Sequence, residues 1–467
     1  MPDHATTRRA FLQRALAGGA AAAALGGSPG AKAERSRRKP NIIFILADDL
    51  GYGDLGCYGQ EVIQTPHLDR MAAEGMRFTQ CYAGSTVCAP ARCALMTGLH
   101  TGHCLIRGNK RVPLRPRDVT VADVLQEAGY TNGLIGKWGL GNEDTTGIPR
   151  EQGFDYFFGY LDQVHAHNYY PEYLWRNEER VPLPGNVEIE PQVSGERTTY
   201  SHDLLTEEAL QFVRRHQADP FFLYLAYTIP HANNERGNVK GDGMEVPDYG
   251  PYADKDWPDP QKGHAAMITR MDRDIGQLFD TLRALGLDDD TLVIFSSDNG
   301  PHREGGADPE FFNSRGGMRG IKRDLYEGGI RVPTLARWPG RVPAGVSSDQ
   351  VWAFWDFLPT AAALAGGTAP EGIDGISMLP ALLGRDDAQQ QHEHLYWEFH
   401  EGGFKQAVRM GDWKAVRPGT DEPVELYDLA EDPGETRDLA AAHPEHIARA
   451  NGLFQTSRTE SEHWPVG

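Results

Sequence analysis

The chain has 467 residues, about three times a typical domain of roughly 150, which allows one large α/β domain and a smaller companion. Its 40% hydrophobic, 9% aromatic and 24% charged residues exclude collagen-like, coiled-coil and wholly disordered chains, and no run past the first thirty residues nears the ~20 apolar residues of a membrane span. Net charge is −20, and residues 1–39 hold eight Lys/Arg against Asp3 and Glu34, so the remainder carries −26 and disfavours nucleic acid as a partner.

In chain order, Thr7-Arg8-Arg9-Ala10-Phe11-Leu12 precedes an Ala/Gly-rich stretch from Ala15 to Gly27 and a small-x-small site, Ala31-Lys32-Ala33. This resembles a bacterial twin-arginine export signal, which implies a twin-arginine translocase as partner and a periplasmic or secreted destination. A basic tail is the plainer alternative. No cysteine lies near the cleavage site, which argues against a lipoprotein anchor. The expected division is 1–39 signal and basic linker, 40–390 catalytic domain and 391–467 C-terminal subdomain, with no transmembrane segment after cleavage.

Ile42 to Ala47, Thr131 to Ile135, Phe221 to Tyr227 and Thr291 to Ser297 are unbroken apolar or β-branched runs, the mark of strands buried on both faces of a parallel sheet. Helices are expected between them: one from Thr65-Pro66 as N-cap and N1, with Leu68 and Met71 inward and Gly75 as stop. Another carries Met267, Met271, Ile275, Leu278, Leu282 and Leu285 at helical spacing and ends at Gly286. Alternating strand and helix predict a doubly wound, mostly parallel α/β sheet. Stretches rich in Gly, Pro, Asp and Asn at 176–200, 233–262 and 300–320 read as long loops. From His394 onward, short aromatic segments (Tyr396 to Phe399, Ala407 to Arg409, Trp413 to Arg417, Glu425 to Leu429) predict a small antiparallel α+β subdomain.

Three buried runs end in polar residues unsuited to a core. Ile42 to Ala47 leads into Asp48-Asp49, Thr291 to Ser297 into Asp298-Asn299-Gly300, and Phe221 to Tyr227 through Pro230 into His231. Ligands of open parallel sheets sit at the carboxyl ends of the strands, so these groups converge on one edge. Oxygen donors from Asp48, Asp49, Asp298 and Asn299 suit a hard cation, Ca²⁺ or Mg²⁺, although each motif alone is an ordinary turn or cap. The five cysteines, at 57, 81, 88, 93 and 104, form neither a disulfide framework nor a zinc pattern. In Cys88-Ala89-Pro90-Ala91-Arg92 a thiol next to Arg92 could be a nucleophile, yet a thiolate is a poor ligand for a hard cation.

Cys-x-Pro-x-Arg at 88–92 followed by Thr97-Gly98, with Asp48-Asp49 upstream and Asp298-Asn299-Gly300 downstream, resembles the sulfatase family of the alkaline-phosphatase superfamily. The resemblance runs from about Pro40 to Leu439. It implies that Cys88 is oxidised to formylglycine (3-oxoalanine) by a formylglycine-generating or anaerobic sulfatase-maturating enzyme. It also implies calcium ligands at Asp48, Asp49, Asp298 and Asn299 joined by the altered Cys88, Arg92 steadying that group, Lys137 and Lys322 gripping the sulfate, and His231 near the leaving oxygen. Many relatives carry a histidine two residues after the first lysine; here that position is Gly139. His100, His103, His165, His167 and His302 are unranked candidates for its proton-handling role. The substrate implied is a sulfated carbohydrate of the galactose or N-acetylgalactosamine type. His165-Ala166-His167-Asn168-Tyr169-Tyr170, with Tyr173 and Trp175, suits a sugar's faces and hydroxyls, with His165 and His167 as substrate-binding candidates, or else forms an aromatic seam between subdomains. Two other readings stand beside this one. A phosphomonoesterase or phosphodiesterase of the superfamily would favour a Ser or Thr nucleophile and a two-metal site; a secreted carbohydrate-binding homologue would bind without turnover.

Overall fold

The computed structural model describes residues 39–466. The export-signal reading falls on residues 1–38, outside the described residues. The four runs singled out above are adjacent strands of a ten-stranded sheet, in the order Thr291–Ser297, Asn41–Ala47, Phe221–Ala226, Thr131–Lys137, and all are parallel. Tyr156–Tyr160 adds a fifth parallel strand, and an antiparallel strand flanks this centre on each side, Thr334–Arg337 on one and Tyr173–Arg176 on the other. The sheet is therefore mixed, with a parallel centre.

Alternate side chains of the central strands enter two cores. Ile43, Ile45, Leu223, Leu225, Val293 and Phe295 pack with the helices Pro66–Glu74, Ser201–Arg215 and Asp259–Ala284. Ile42, Phe44, Phe222, Tyr224 and Ile294 face the helices Cys88–Thr97, Val121–Glu127 and Phe357–Leu364. Burial on both faces is what removes polar alternation from these strands. Truncating one such residue, Ile43→Ala for example, costs on the order of 2–5 kcal/mol.

Two predicted caps act differently from expectation. Thr65 precedes the helix Pro66–Glu74, but its hydroxyl accepts from Gly56 N (2.9 Å) and donates to Asp69 (3.2 Å). The helix's first amides instead meet Asp272, with Leu68 N at 2.7 Å. Gly75 has φ −143°, and a Cβ there would lie 2.2 Å from the Ala336 carbonyl, so close approach to the neighbouring strand, not a left-handed stop, requires the glycine. Gly286, at φ +66°, does end the long helix in the left-handed region.

The stretch 176–200 is not a plain loop. It completes one hairpin (Tyr173–Arg176 with Glu179–Pro182) and contains another (Val187–Glu190 with Val193–Glu196). These strands are largely exposed and polar, so they lack the apolar pattern by which strands are recognised. The helix Asn234–Lys240 likewise interrupts 233–262, while 300–320 is irregular as expected.

Near the C terminus, Leu395–Phe399, Lys405–Met410, Trp413–Arg417 and Glu425–Asp428 form a consecutive antiparallel sheet, with the helix Pro444–Thr456 on one face. Its other face shares a core with Tyr82, Val87 and Trp355. Trp397 Nε1 donates to the Ala83 carbonyl at 3.0 Å, and buried Arg107 pairs with Glu398 at 2.7 Å. This sheet thus braces the segment leading into Cys88.

Candidate active site

Register dictates the first contact of the site. Ala47 lies opposite Ser297, so the residues that follow, Asp48-Asp49 and Asp298-Asn299, emerge side by side. Asp49 turns into the left-handed region (φ +65°), its amide donates to Asp298 Oδ1 at 3.1 Å, and Leu50 N donates to Ser297 Oγ at 2.9 Å. Lys137 ends the next-but-one strand, and His231 follows the strand between them.

Cys88 opens the helix Cys88–Thr97 and Arg92 stands one turn along, so both side chains share a helix face. Cys88 Sγ donates to Asp48 Oδ1 at 3.2 Å. Arg92 donates from Nε and Nη2 to Asp298 Oδ2 at 3.2 and 2.8 Å and from Nη1 to the Lys137 carbonyl at 2.7 Å, and its Nη2 is 3.4 Å from Asp48. Lys137 Nζ meets Asp48 Oδ2 at 2.7 Å. Lys322 Nζ meets Asp49 Oδ2 at 2.8 Å, Glu304 Oε2 at 3.0 Å and His231 Nε2 at 3.1 Å. All of these groups except Glu304 are buried.

Charge at this depth is sustained by pairing. Burial opposes ionisation of Asp48, yet Lys137 holds its carboxyl well below the usual range. Burial and the neighbouring Asp48 push Asp298 up to about 7 in spite of Arg92, which reports surplus negative charge. Burial, with Asp298 and Asp48 alongside, drives the Cys88 thiol well above its ordinary value, so an unmodified Cys88 is a thiol and not a thiolate. Burial and Lys322 depress His231, whose Nδ1 faces the Ala232 carbonyl at 2.6 Å. The ring is therefore neutral, with its proton on Nδ1 and the Nε2 lone pair toward Lys322.

Ligand-capable atoms of Asp48, Asp49, Cys88 and His231 lie within 4.8 Å of one another. Asn299 donates through Nδ2 to Asp49 Oδ1 at 2.7 Å, while its Oδ1 is buried without a hydrogen-bond partner among the described residues. A buried orphan oxygen among three carboxylates is a donor set that fits a hard divalent cation. Asp48, Asp49, Asp298 and Glu304 face Arg92, Lys137, Lys322 and Arg323, so the formal charges balance, and a divalent cation would add the positive charge that an anionic sulfate monoester meets.

The remaining predicted residues separate. His167 stacks on His231 at 4.7 Å and bonds Glu235 at 3.0 Å, and His302 stacks on the other side at 5.9 Å. His165 turns away to Tyr160 and Tyr173. His100 and His103 pair with Asp374 in a different cluster. Cys81, Cys93 and Cys104 are buried as small apolar residues and Cys57 is half-buried. Glu304 went unpredicted, as did Asn109, whose Oδ1 accepts from Ala89 N at 3.1 Å, and Gln163, the side chain nearest to Gly139. None belongs to a motif; each arrives on a loop whose course the sequence does not announce.

The family model for sulfatases matches residues 40–367. The chain belongs to the sulfatase family. A second family model, N-sulphoglucosamine sulphohydrolase, C-terminal, matches residues 320–452. Human arylsulfatase A is 34% identical over 87% of this chain and 85% of its own length. The N-acetylgalactosamine-6-O-sulfatase of Bacteroides thetaiotaomicron is 29% identical over 91% of this chain and 94% of its own. Among solved structures, Ps i-CgsB in complex with k-i-k-neocarrahexaose superposes with a TM-score of 0.76 at 29% identity, covering 90% of this chain and 93% of that one. The protein is thus a sulfuric ester hydrolase, and its relatives include enzymes named for carbohydrate sulfates.

Proposed function

We propose that this sulfatase removes sulfate from a galactose or N-acetylgalactosamine sulfate outside the cytoplasm, with Cys88 converted to formylglycine before export by a twin-arginine route. The observation that carries the reading is the convergence of Cys88, Lys137, Lys322 and His231 on one oxygen-donor cluster containing the orphan Asn299 Oδ1. The N-acetylgalactosamine-6-O-sulfatase relative supports the sugar class.

Asp48, Asp49, Asp298 and Asn299 would hold Ca²⁺ or Mg²⁺, which supplies positive charge beside position 88, where formylglycine, as its hydrate, supplies the hydroxyl that attacks sulfur. Lys137 and Lys322 neutralise the sulfate oxygens as charge builds in the transition state. Arg92 keeps Asp298 and the Lys137 backbone in place. Lys322 holds the proton that the departing sugar oxygen needs, with neutral His231 fixing the direction of that ammonium. His167 and Glu235 in turn orient His231.

The test is mass spectrometry on the peptide spanning 80–92, from protein made in a host with the maturation machinery, paired with sulfate release from N-acetylgalactosamine 6-sulfate and 4-sulfate. The expected result is a peptide carrying aldehyde in place of thiol, and turnover of one of the two sugars. An unaltered thiol in active enzyme would falsify the mechanism, and turnover confined to other sugars would overturn the substrate class.

A further inference from the structure

A cavity of about 420 Å³ opens beside His165, Tyr173 and Trp175, within the size range of small-molecule sites. It shares Arg111, Asn142 and Asp162 with a narrower cleft bordered by Gly139, Gln163 and Asn109. Asn109 bonds the amide next to Cys88, and Gly139 lies two residues past Lys137, so the two spaces together lead from the edge of the reacting centre outward.

The lining has a definite chemistry. His165 and Tyr173 rings lie 4.7 Å apart and Tyr173 meets Trp175 edge-on at 5.8 Å, an aromatic wall. Burial lowers His165 to about 4, so at neutral pH the imidazole adds no charge. Glu143, Asp162, Glu172 and Glu188 supply four carboxylates, whereas Arg111 is the one cation lining the cavity among the described residues. Arg111 is paired with Asp162 at 2.8 Å; Arg180, lying over Tyr173 and Trp175, is paired with Glu143 at 2.7 Å. Even with both arginines counted, the wall is negative by two.

We propose that this cavity is the subsite for the sugar that neighbours the sulfated one, and that it admits an uncharged sugar and rejects one bearing a carboxylate or a second sulfate. The assignment rests on the carbohydrate-sulfatase reading above and adds the charge class of the adjoining residue. Carboxylates accept from sugar hydroxyls, and Tyr173 and Trp175, each with Arg180 over its ring, add apolar surface beside them. The same carboxylates repel a second anion, an effect that weakens as salt rises. The reacting centre demands one anionic group while the adjoining space refuses another.

Three substrates decide it: N-acetylgalactosamine 6-sulfate alone, the same sugar joined to galactose, and the same sugar joined to glucuronate. The wild-type enzyme should show kcat/KM at least tenfold higher on the galactose-linked disaccharide than on either of the others, with discrimination against glucuronate shrinking at high salt. The double variant Glu172→Gln, Glu188→Gln should bring the galactose-to-glucuronate ratio within threefold of unity, and Tyr173→Ala should collapse the disaccharide-to-monosaccharide ratio. Ratios within one variant cancel any general loss of activity. Equal use of the two disaccharides by wild type, or ratios that neither variant moves, overturns the subsite. If none of the three is cleaved while 4-nitrophenyl sulfate is, the sugar assignment has failed. The subsite is then read from inhibition of aryl sulfate hydrolysis by galactobiose against a galactosyl-glucuronate: stronger inhibition by the neutral disaccharide upholds the proposal and equal inhibition overturns it.

Discussion

Lys322 directs its ammonium to His231 Nε2 at 3.1 Å, while the opposite ring nitrogen is tied to the Ala232 carbonyl. The pair therefore carries its mobile proton on the lysine. Lys322→Ala should lower kcat/KM on a sugar sulfate by ~10²–10⁴-fold. The loss should be at least tenfold smaller on 4-nitrophenyl sulfate, whose phenolate leaves without needing a proton. Equal losses on both substrates would assign Lys322 to sulfate binding alone.

Asn299 should govern cation affinity. Because its Oδ1 has no partner among the described residues while its Nδ2 supports Asp49, Asn299→Ala would remove the proposed ligand and a brace together. Calorimetric titration of chelator-treated protein with Ca²⁺ should show affinity weakened by ~10–100-fold. The melting temperature of the wild type should rise with added Ca²⁺, and that of the variant should rise less at the same concentration. An unchanged Ca²⁺ isotherm would place the ion elsewhere.

Position 139 should not accept a side chain. Gly139 has φ +78°, and a Cβ there would lie 2.4 Å from the Gln163 amide nitrogen. Gly129, at φ +83°, faces open space. Thermal denaturation should show Gly139→Ala costing about 1–2 kcal/mol, and more than Gly129→Ala. Gly139→His carries the same backbone strain, so the histidine common in relatives could not simply be restored here.

Acid should loosen the joint between the C-terminal sheet and the body. Burial alone would raise Glu398, but His400, Arg107 and Arg458 hold it down to about 2. Its folded value lies below the roughly 4.3 of an unfolded chain, so its contribution is complete above that pH and is lost as pH falls toward 2. About 3 kcal/mol is at stake. Denaturant unfolding from pH 6 to pH 2.5 should show Glu398→Gln with lower stability at pH 6 and a flatter acid limb than wild type.

Much of this architecture was legible because burial leaves plain marks. Strands covered on both faces must be unbrokenly apolar, so Ile42 to Ala47 and Thr291 to Ser297 stood out, and the abrupt change to Asp48 and Asp298 marked the sheet edge. The exposed strands Glu179–Pro182 and Val187–Glu190 obey no such requirement and read as loop within 176–200. Glu304 and Gln163 were invisible for another reason: a loop glutamate or glutamine is unremarkable until the chain's path brings it against Lys322 or Gly139. His165 and His167 show the limit of proximity in sequence, since a single residue, Ala166, separates one histidine on the cavity wall from another stacked on His231. The role of Thr65 was misread because the partner that caps its helix, Asp272, lies about two hundred residues away.

Cys88 is 2% exposed, and its neighbours Val87 and Ala94 share a core with the sheet that begins near residue 395. On the proposed conversion of Cys88, an enzyme reaching its sulfur would have to act before the fold closes over it, so a variant that folds faster would keep its shape and lose the aldehyde.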